Sequence, residues 1–443
     1  MAKICKIYDV LIIGAGAAGL FLAANLRGKS VAVLEKNASC GKKILASGGG
    51  RCNVTNRRID ASNYLGDANF VKNILKKLDF KDVLKFFGEL KFNEQKQSQF
   101  FCESGAKDVL GVLLKRARQS GAQIFCGVCV KSARKILADE NGEIADAFLA
   151  LNGNKFEGSC CNDAPNLTEF DTSNLQNVKR NLDEIFEVVA ENGDKFYAQN
   201  LVVASGGLSY KSLGASDIGY EIAQSFGISV ATPAPALVGF TVQKEEFWFK
   251  NLSGVCFPAR IRVGCAGKDA ANRESKMPRE FAGDILFTHK GISGPAVLNA
   301  SLFWQKGLIA INFCPNFNIE TAQKSKKQLS TVLPLPRRFT LEFLRAAGLS
   351  DKPYGEYKAD EMAKISRLFA YEFAPAGTFG FERAEVTRGG VDTDALDGNC
   401  CHKDTRGLYF IGEVLNVTGM LGGYNLHFAF ACAANLAKRL NAE

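Results

Sequence analysis

The sequence predicts an α/β protein in which a doubly wound sheet domain is interrupted by an inserted β-rich α+β domain. Three observations predict it. An apolar strand, a glycine turn and a small-residue helix occupy 9–26; apolar strands ending in glycine return at 201–207 and 407–412; and the third of the chain between them is strand-like and basic. We therefore predict a first segment at 1–235, an insertion at 236–383 and a returning segment at 384–443.

The glycine turn carries the pattern of a dinucleotide-binding site. Gly14 permits a tight turn, Gly16 lets the backbone approach a pyrophosphate, and Gly19 lets the helix pack against the strand. A second apolar strand ends at Glu35, 21 residues after Gly14, which suits a carboxylate that accepts ribose hydroxyls. We expect a Rossmann-like domain that binds an ADP-bearing cofactor; a plain βα unit with small residues for packing is the alternative.

Further cofactor-binding candidates lie where the chain returns to the ends of these strands. A glycine-rich loop after Glu35 suits close approach to a pyrophosphate and a ring edge, although a flexible surface loop has the same composition. The strands at 201–207 and 407–412 end in glycine, and a glycine pair opens a helix at 426–440 whose first N–H groups are free. The candidates are Ala17, Ala18, Lys36, Gly41, Lys43, Ser47, Gly48, Gly49, Gly50, Arg51, Asn53, Ala204, Gly206, Gly207, Gly412, Glu413, Gly422, Gly423, Tyr424 and Asn425.

Length and composition bound the class of protein. At 443 residues the chain exceeds the usual size of one core, and its 47% hydrophobic residues can fill two. The apolar stretch at 10–26 is punctuated by glycines, so we assign it to a strand and a helix and not to a membrane span. The first eight residues lack the apolar core of a signal peptide, so we expect a cytoplasmic protein without a membrane partner.

The 14 cysteines are spread along the chain and do not form the dense framework of a small secreted domain. We therefore expect free thiols, most of them small core residues. Cys126 and Cys129 form a CxxC pair, but a strand predicted at 123–130 would point them to opposite faces. No metal site is predicted.

Periodicity predicts the remaining elements. Helices are predicted at 70–78, 82–90, 108–118, 341–347 and 360–373. Strands are predicted at 123–130, 145–151, 187–190, 195–199, 237–242, 254–263 and 308–313. The polar stretch at 158–180 is predicted to be an exposed insertion without a catalytic role.

The formal charge of +9 is unevenly distributed. Residues 236–383 contain 21 Lys and Arg against 14 Asp and Glu, an excess of 7 positive charges. Such a region suits a polyanion such as RNA, and Lys324, Lys326, Lys327, Arg337 and Arg338 lie close together in sequence. A solvated basic face without a partner is the alternative, and no aromatic stacking pattern accompanies these residues.

Several motifs together resemble the YhiN/BaiN-like family of FAD-dependent oxidoreductases across nearly the whole chain. They are the glycine turn, Gly-Gly-Gly-Arg-Cys-Asn at 48–53, and the motifs at 204–207, 235–238, 286–295, 386–391, 407–413 and 422–426. The resemblance implies FAD in a doubly wound domain interrupted by an inserted β-rich domain. The sequence departs from the family pattern at 98–102, at 401–402, and at His427, where glutamine is common. We expect these departures to concern the substrate pocket and not the FAD site.

The resemblance also implies a reaction. Members of the family are associated with reducing activated C=C bonds, in small molecules of the bile-acid type and in a uridine of large-subunit ribosomal RNA. No second glycine fingerprint follows, so NAD(P)H would visit the flavin transiently. Cys52 and His289 are candidate proton donors to the reduced bond, although Cys52 also suits a simple ring contact and His289 a bracing role in its loop. A flavoprotein whose FAD is structural or reacts with oxygen is the remaining alternative.

Overall fold

The structure is a computed structural model, and it describes residues 6–139, 182–264 and 279–443. The strand predicted at 145–151 and the insertion predicted at 158–180 lie outside the described residues. The described strands are, in chain order, β1 (Ile7–Ile13), β2 (Val31–Glu35), β3 (Asn53–Asn56), β4 (Tyr64–Leu65), β5 (Phe92–Gln95), β6 (Gln99–Cys102), β7 (Gln123–Cys126), β8 (Val130–Asp139), β9 (Leu182–Ala190), β10 (Lys195–Val203), β11 (Val230–Ala236), β12 (Phe240–Thr241), β13 (Cys256–Val263), β14 (Arg279–Thr288), β15 (Gly291–Ser293), β16 (Ile309–Asn312), β17 (Tyr371–Phe373), β18 (Gly377–Thr378), β19 (Val386–Val391), β20 (Leu408–Phe410) and β21 (Thr418–Gly419).

The α-helices predicted from periodicity are present, with ends shifted by a few residues. The described α-helices are α1 (Ala17–Asn25), α2 (Lys42–Ala46), α3 (Ala68–Leu75), α4 (Phe80–Phe86), α5 (Ala106–Gln119), α6 (Ile218–Ser225), α7 (Pro295–Phe303), α8 (Glu320–Gln323), α9 (Leu329–Val332), α10 (Arg337–Ala346), α11 (Ala359–Ser366) and α12 (Tyr424–Leu440).

The first sheet has the strand order β7-β2-β1-β10-β9-β8, and β20 pairs with β10. Strands β7, β2, β1, β10 and β20 pair in parallel, whereas β8 and β9 add an antiparallel hairpin. All five residues of β2 are buried, which is the continuous apolar pattern of a parallel strand covered on both faces. The predicted doubly wound α/β domain is therefore confirmed, and the chain returns to this sheet at β20 as predicted.

Helices α1 and α12 pack together against this sheet. Small residues make the close packing feasible, since α1 and the middle of α12 are rich in alanine and almost entirely buried. The apolar stretch at 10–26 is thus split between β1 and α1. Among the described residues, no helix is long and apolar enough to cross a bilayer.

The second sheet is antiparallel and has the strand order β17-β16-β13-β14-β15-β12-β18. Along β13, exposed and buried residues alternate strictly, as expected when one face is solvated and the other covers a core. That core is separate from the first and strongly aromatic, and the Phe287 ring contacts the Phe249 ring edge-on and the Phe339 ring at a tilt. The β-rich character predicted for this part of the chain is confirmed, whereas the domain limits at 236 and 383 stay a prediction.

A two-stranded ribbon, β11 with β19, joins the two sheets in sequence. Ala236 pairs with Val386 and Ala234 pairs with Arg388, and the register breaks between Ala231 and Ala234. The break falls at the first proline of the Thr-Pro-Ala-Pro-Ala segment, because proline has no N–H to contribute to a ladder.

Three predicted elements differ from the structure. The strand predicted at 123–130 ends at Cys126 because Gly127 adopts φ +78°, and β8 starts afresh at Val130. The strand predicted at 237–242 shrinks to β12, since Leu237 has φ +49°. The helix predicted at 360–373 stops at 366, and its last residues form β17.

Candidate cofactor and active site

The turn from β1 into α1 brings a helix N-terminus to the edge of the sheet. Gly14 has φ +105°, and a Cβ there would lie 2.5 Å from the carbonyl oxygen of Ala204, which follows β10. A Cβ on Gly19 would overlap the Gly14 carbonyl oxygen. Helix α1 therefore lies close against the sheet, and its first turn, which has no side-chain cap at Gly16, offers free N–H groups.

Glu35 ends β2 and is buried beside this turn. Its Oε2 accepts a hydrogen bond from the Ala15 N–H at 3.0 Å, and its Oε1 accepts from the Asn37 N–H at 2.9 Å and Nδ2 at 2.7 Å. A carboxylate offers about four acceptor sites, so about one remains for a ribose hydroxyl. Glu35 thus faces the cavity and also holds the glycine turn in place. The spacing of the motif predicted the first role and not the second.

An ion pair joins helix α2, which follows β2, to the segment that follows β20. The Lys43 Nζ donates to the Glu413 Oε2 at 2.6 Å, although the two residues are 370 positions apart. The other carboxylate oxygen of Glu413 accepts from the Ser209 hydroxyl at 3.0 Å and from the Thr387 N–H at 3.1 Å. Both members of the pair were predicted from separate motifs, and the structure brings them together.

The glycine-rich loop is a tight turn that suits a ligand contact. Gly48 and Gly49 have φ +56° and +65°, values that residues with a side chain rarely adopt. The Arg51 guanidinium lies 4.6 Å from the centre of the Phe101 ring. With its amide oriented to satisfy its neighbours, the Asn53 side chain accepts from the Gly423 N–H at 3.0 Å, which links this loop to the start of α12.

These elements enclose a cavity of about 1010 Å³. It extends from Glu35 to the start of α12, and strands β5 and β6 contribute to its wall. A cavity of this size suits an extended ligand. The predicted residues that line it are Gly14, Gly16, Ala17, Ala18, Glu35, Gly41, Lys43, Ser47, Gly48, Gly49, Arg51, Asn53, Ala204, Gly206, Gly207, Glu413, Gly422, Gly423 and Asn425.

Some predicted cofactor residues lie behind the wall or off it. Gly19 and Gly412 serve packing, since a Cβ on Gly412 would lie 2.9 Å from the Ala18 Cβ. Tyr424 is buried against Tyr64. Lys36 and Gly50 are exposed outside the cavity. A glycine motif therefore mixes ligand contacts with residues that only allow close packing.

Cys52, a predicted proton donor, is completely buried and does not line the cavity, although both of its sequence neighbours do. Burial raises the pKa of the Cys52 thiol to about 12, so the thiol stays protonated in the core. The structure therefore supports neither the proton-donor role nor the ring contact for Cys52, which is a small core residue as predicted for most of the thiols.

His289, the other predicted donor, lies in the turn of the β14–β15 hairpin and is exposed. On β14, the residues that line the cavity are Gly283 and Asp284. His289 lies five positions after Asp284, which corresponds to about 17 Å along an extended chain. The structure does not bring His289 to the cavity.

His427 and His402 mark departures from the family pattern, and both lie in the core and not on the cavity wall. The His427 Nδ1 pairs with the Thr55 hydroxyl at 2.8 Å, and its Nε2 donates to the Leu78 carbonyl oxygen at 3.2 Å. Burial lowers the pKa of His427 to about 4. The expectation that these two departures concern the substrate pocket is wrong; the departure at 98–102 does reach the cavity, through Gln99 and Phe101.

The cavity wall also carries polar residues that sequence reasoning missed. Glu385 and Tyr210 face it from different segments, and Tyr210 adopts φ +59°, which is strained for a tyrosine. Glu385 directly precedes the Val-Thr-Arg-Gly-Gly-Val motif of β19, a position that could have drawn attention to it. No sequence signal marks Tyr210 or Asn37.

Glu385 as a residue is exposed, yet it lines the cavity and many protein atoms surround its carboxyl group. Burial raises the pKa of Glu385 above its ordinary value. Burial, followed by the charge of Glu385, also raises the pKa of Tyr210, so the two groups lie within electrostatic reach of each other. A carboxyl group with a raised pKa on a cavity wall stays protonated to higher pH than an ordinary carboxyl group, which suits a proton donor.

The residues of the cavity fit FAD. The Glu35 carboxylate keeps acceptor capacity for a ribose, the Gly16 backbone leaves room that a side chain would fill, and the first turn of α1 offers free N–H groups to a pyrophosphate. Helix α12 begins at the far part of the cavity and presents a second positive dipole end, suited to an electron-rich flavin ring. Fold and cavity together define a FAD-dependent oxidoreductase.

Comparisons with known proteins agree. Residues 8–148 and 163–439 match the family described as HI0933-like protein Rossmann domain. The chain belongs to this FAD-dependent Rossmann family, and the resemblance found in the sequence is confirmed.

Relatives match over nearly their full lengths. The chain is 34% identical to a ribosomal RNA dihydrouridine synthase of Haemophilus influenzae and 32% identical to one of Escherichia coli, over 97% of this chain and 98% of each relative. It is 29% identical to a 3-dehydro-bile acid delta(4,6)-reductase of Clostridium scindens, over 98% of both chains. Among solved structures, a 3-ketosteroid-delta4-(5alpha)-dehydrogenase of Rhodococcus jostii RHA1 is similar with 13% identity and a TM-score of 0.46, over 100% of this chain and 98% of that one.

Proposed function

We propose that the protein is an NAD(P)H-driven reductase of an activated C=C bond and that its substrate is a uridine of large-subunit ribosomal RNA, which becomes dihydrouridine. The observation that supports this substrate is the similarity to two ribosomal RNA dihydrouridine synthases along nearly the whole chain. A match of this extent includes the cavity wall as well as the cofactor-binding turn.

The chemistry divides between cofactor and protein. FAD, when bound, would supply the chemistry for hydride transfer between a nicotinamide and the double bond. The protein positions FAD through Glu35 and the first turn of α1, and the Lys43–Glu413 ion pair fixes two loops of the cavity against each other. The second carbon needs a proton, and a positioned acid contributes roughly 10²–10⁴-fold.

Glu385 supplies that proton from its carboxyl group. It replaces Cys52 and His289 in this role because it lines the cavity, whereas neither of them does. Its raised pKa keeps the carboxyl group protonated to higher pH than an ordinary glutamate.

Exchanging Glu385 for glutamine tests this role. We expect Glu385→Gln to keep flavin reduction by NAD(P)H and to lose turnover with the acceptor by roughly 10²-fold or more. In the wild type, turnover should fall as pH rises through the pKa of Glu385, and this limb should be absent from the variant. Glu382→Gln, three residues away and outside the cavity, is the matched control. Equal turnover in both variants would remove Glu385 from the mechanism.

The exposed basic residues of the second sheet region support an RNA substrate. The exposed basic residues are Lys324, Lys326, Lys327, Arg337 and Arg338. The Arg338 guanidinium also donates hydrogen bonds to the backbone carbonyls of Asn251 and Ser253. Exposed Lys and Arg release counterions when they neutralise phosphates, so RNA binding should weaken steeply as salt rises. The target base must also leave its stack to reach a buried flavin, which favours an immature or unfolded RNA as substrate.

Two measurements test the proposed function. In the first, holoenzyme is mixed anaerobically with NADH or NADPH and flavin bleaching is followed; a flavin inert to both would favour a structural or oxygen-reacting FAD. In the second, dihydrouridine is measured in large-subunit RNA from a deletion strain with and without the restored gene. Unchanged dihydrouridine in the deletion strain would refute the RNA substrate.

A second candidate is a small-molecule enone reductase. It is supported by the 29% identity to the bile acid reductase over 98% of both chains. Holoenzyme supplied with NAD(P)H and a steroid enone tests it directly. Turnover with the enone, together with unchanged dihydrouridine in the deletion strain, would favour this candidate.

A further inference from the structure

A second cavity, of about 420 Å³, lies outside the cofactor cavity and shares none of its lining residues. One side of it follows α7, where Trp304 and Lys306 line the opening. The other side is the segment from Pro375 to Thr378, and its floor is formed by the β11–β19 ribbon. None of the activities discussed above uses this cavity.

The charged residues that line this second cavity are all positive. Arg388 and Lys306 line it, and no Asp or Glu does. The Arg388 Nη1 donates to the backbone carbonyls of Leu302 and Trp304, at 3.3 and 2.7 Å. In the described parts of the chain, neither cation forms an ion pair with a carboxylate, and burial lowers the pKa of Arg388. A half-buried guanidinium with unused donors and no counter-ion suits an anionic ligand, above all a phosphate.

Trp304 adds a flat apolar surface beside these charges. Its ring meets the Phe240 ring edge-on at 5.0 Å, and its Nε1–H donates to the Gly307 carbonyl oxygen at 3.1 Å. The polar atom of the indole is therefore satisfied within the protein, and its ring is fixed in place. Trp304 therefore contributes an apolar aromatic surface to the lining of the cavity, and aromatic rings stack on nucleobases of any sequence.

The two cavities are close neighbours along the ribbon. Glu385 and Val386 line the cofactor cavity, and Arg388, two residues farther along β19, lines the second cavity. Two residues of a strand span about 7 Å. A single-stranded ligand whose target base enters the cofactor cavity could therefore place its next nucleotides at the second cavity.

We propose that the second cavity holds a nucleotide that flanks the target uridine, with its phosphate at Arg388 and Lys306 and its base on Trp304. This inference rests on the proposed RNA substrate and adds where the strand is gripped. Phosphate contacts of this kind position a strand, and stacking on an aromatic ring is the usual way in which unpaired RNA bases are held. A dinucleotide such as NADPH carries the same phosphate and base, so the test must separate these two sources.

The test compares Trp304→Leu and Lys306→Ala with Lys290→Ala, a control that removes an exposed positive charge outside both cavities. Each holoenzyme is titrated with protein-free large-subunit RNA from the deletion strain at several salt concentrations. Flavin content, melting temperature and the Michaelis constant for NADPH are measured on the same samples.

We expect Trp304→Leu to weaken RNA binding roughly 5- to 100-fold. Lys306→Ala should reduce the slope of log affinity against log salt by about 0.7, as expected for one lost phosphate contact on a single strand. Neither variant should change flavin content or the Michaelis constant for NADPH. Lys306 is exposed and has no ion-pair partner among the residues that the structure describes, so this variant stays informative even if Trp304→Leu folds poorly.

The failing outcomes are distinguishable. Wild-type holoenzyme that binds no RNA at any salt would refute the proposed substrate and this inference together. Wild-type binding that both variants match in affinity and salt slope would overturn only the inference. A raised Michaelis constant for NADPH with unchanged RNA affinity would also overturn it and would assign the cavity to the nicotinamide cofactor.

Discussion

Replacing Glu35 by alanine tests how the glycine turn and the cofactor are held by one carboxylate. In the structure that carboxylate accepts from the buried Ala15 N–H and twice from Asn37. The variant leaves the Ala15 N–H without a partner, which costs about 1–3 kcal/mol, and the lost Asn37 contacts add about 1 kcal/mol. We therefore expect the cofactor-free variant to lose about 2–4 kcal/mol of unfolding free energy and to remain folded.

The two effects are measured separately. With an unfolding entropy of about 2.1 cal/mol/K per residue, a cooperative unit of roughly 300 residues should melt roughly 3–7 °C lower, as followed by circular dichroism on apoprotein. Losing one charge-assisted hydrogen bond to the ribose, worth about 1.5–3 kcal/mol, should weaken FAD binding roughly 10- to 150-fold. Flavin fluorescence quenching gives that affinity.

Glu103→Ala is the control, because Glu103 is exposed and outside the cavity. It should leave both the melting temperature and the FAD affinity of the wild type unchanged. If Glu35→Ala also melts within 1 °C of wild type, as a rough limit set by the expected shift, the carboxylate does not hold the turn. If FAD affinity is unchanged as well, Glu35 has no part in the cofactor site.

Two further predictions concern pH and packing. The folded protein favours neutral His427, because burial lowers the pKa of this residue to about 4. In the unfolded chain the same imidazole binds a proton near pH 6.5. The free energy of unfolding should therefore fall by about 3 kcal/mol as the pH drops from about 6.5 to about 4. His427→Gln should remove that part of the pH dependence in urea unfolding; identical slopes for both proteins would refute it. Gly19→Ala should lower stability and flavin content, whereas Gly16→Ala, where a Cβ meets nothing within 4 Å, should keep the fold; thermal melts of both decide.

Much of the fold was predictable because its signals are local. A tight turn that needs glycine, a buried strand before it and a small-residue helix after it are all encoded within 9–26. The paired sheet strands and most helices followed from periodicity, and their ends moved where a single backbone angle intervened, as at Gly127 and Leu237. Propensity windows average over several residues, so one left-handed residue escapes them.

The cavity wall was partly predictable for the same reason. Glycine-rich motifs indicate places where the backbone approaches a ligand closely, and 19 of the predicted cofactor residues do line the cavity. Sequence could not separate them from Gly19 and Gly412, since a glycine that meets a ligand and a glycine that meets another helix leave the same mark. The prediction of proton donors also favoured rare residue types such as histidine. His289 shows that the rarity of a residue type does not indicate where the residue lies in the fold.

By itself, the sequence determined the Rossmann turn, the class of cofactor and the family. Each of these depends on short motifs whose residues are neighbours along the chain. Only the tertiary structure decided which distant groups meet. It paired Lys43 with Glu413, and it turned Glu385 into the cavity. It also set the Cys126 sulfur 3.6 Å from Cys40 instead of beside Cys129. The physical reason is that such contacts arise from packing strands and helices remote in sequence, and no local preference of the chain encodes them.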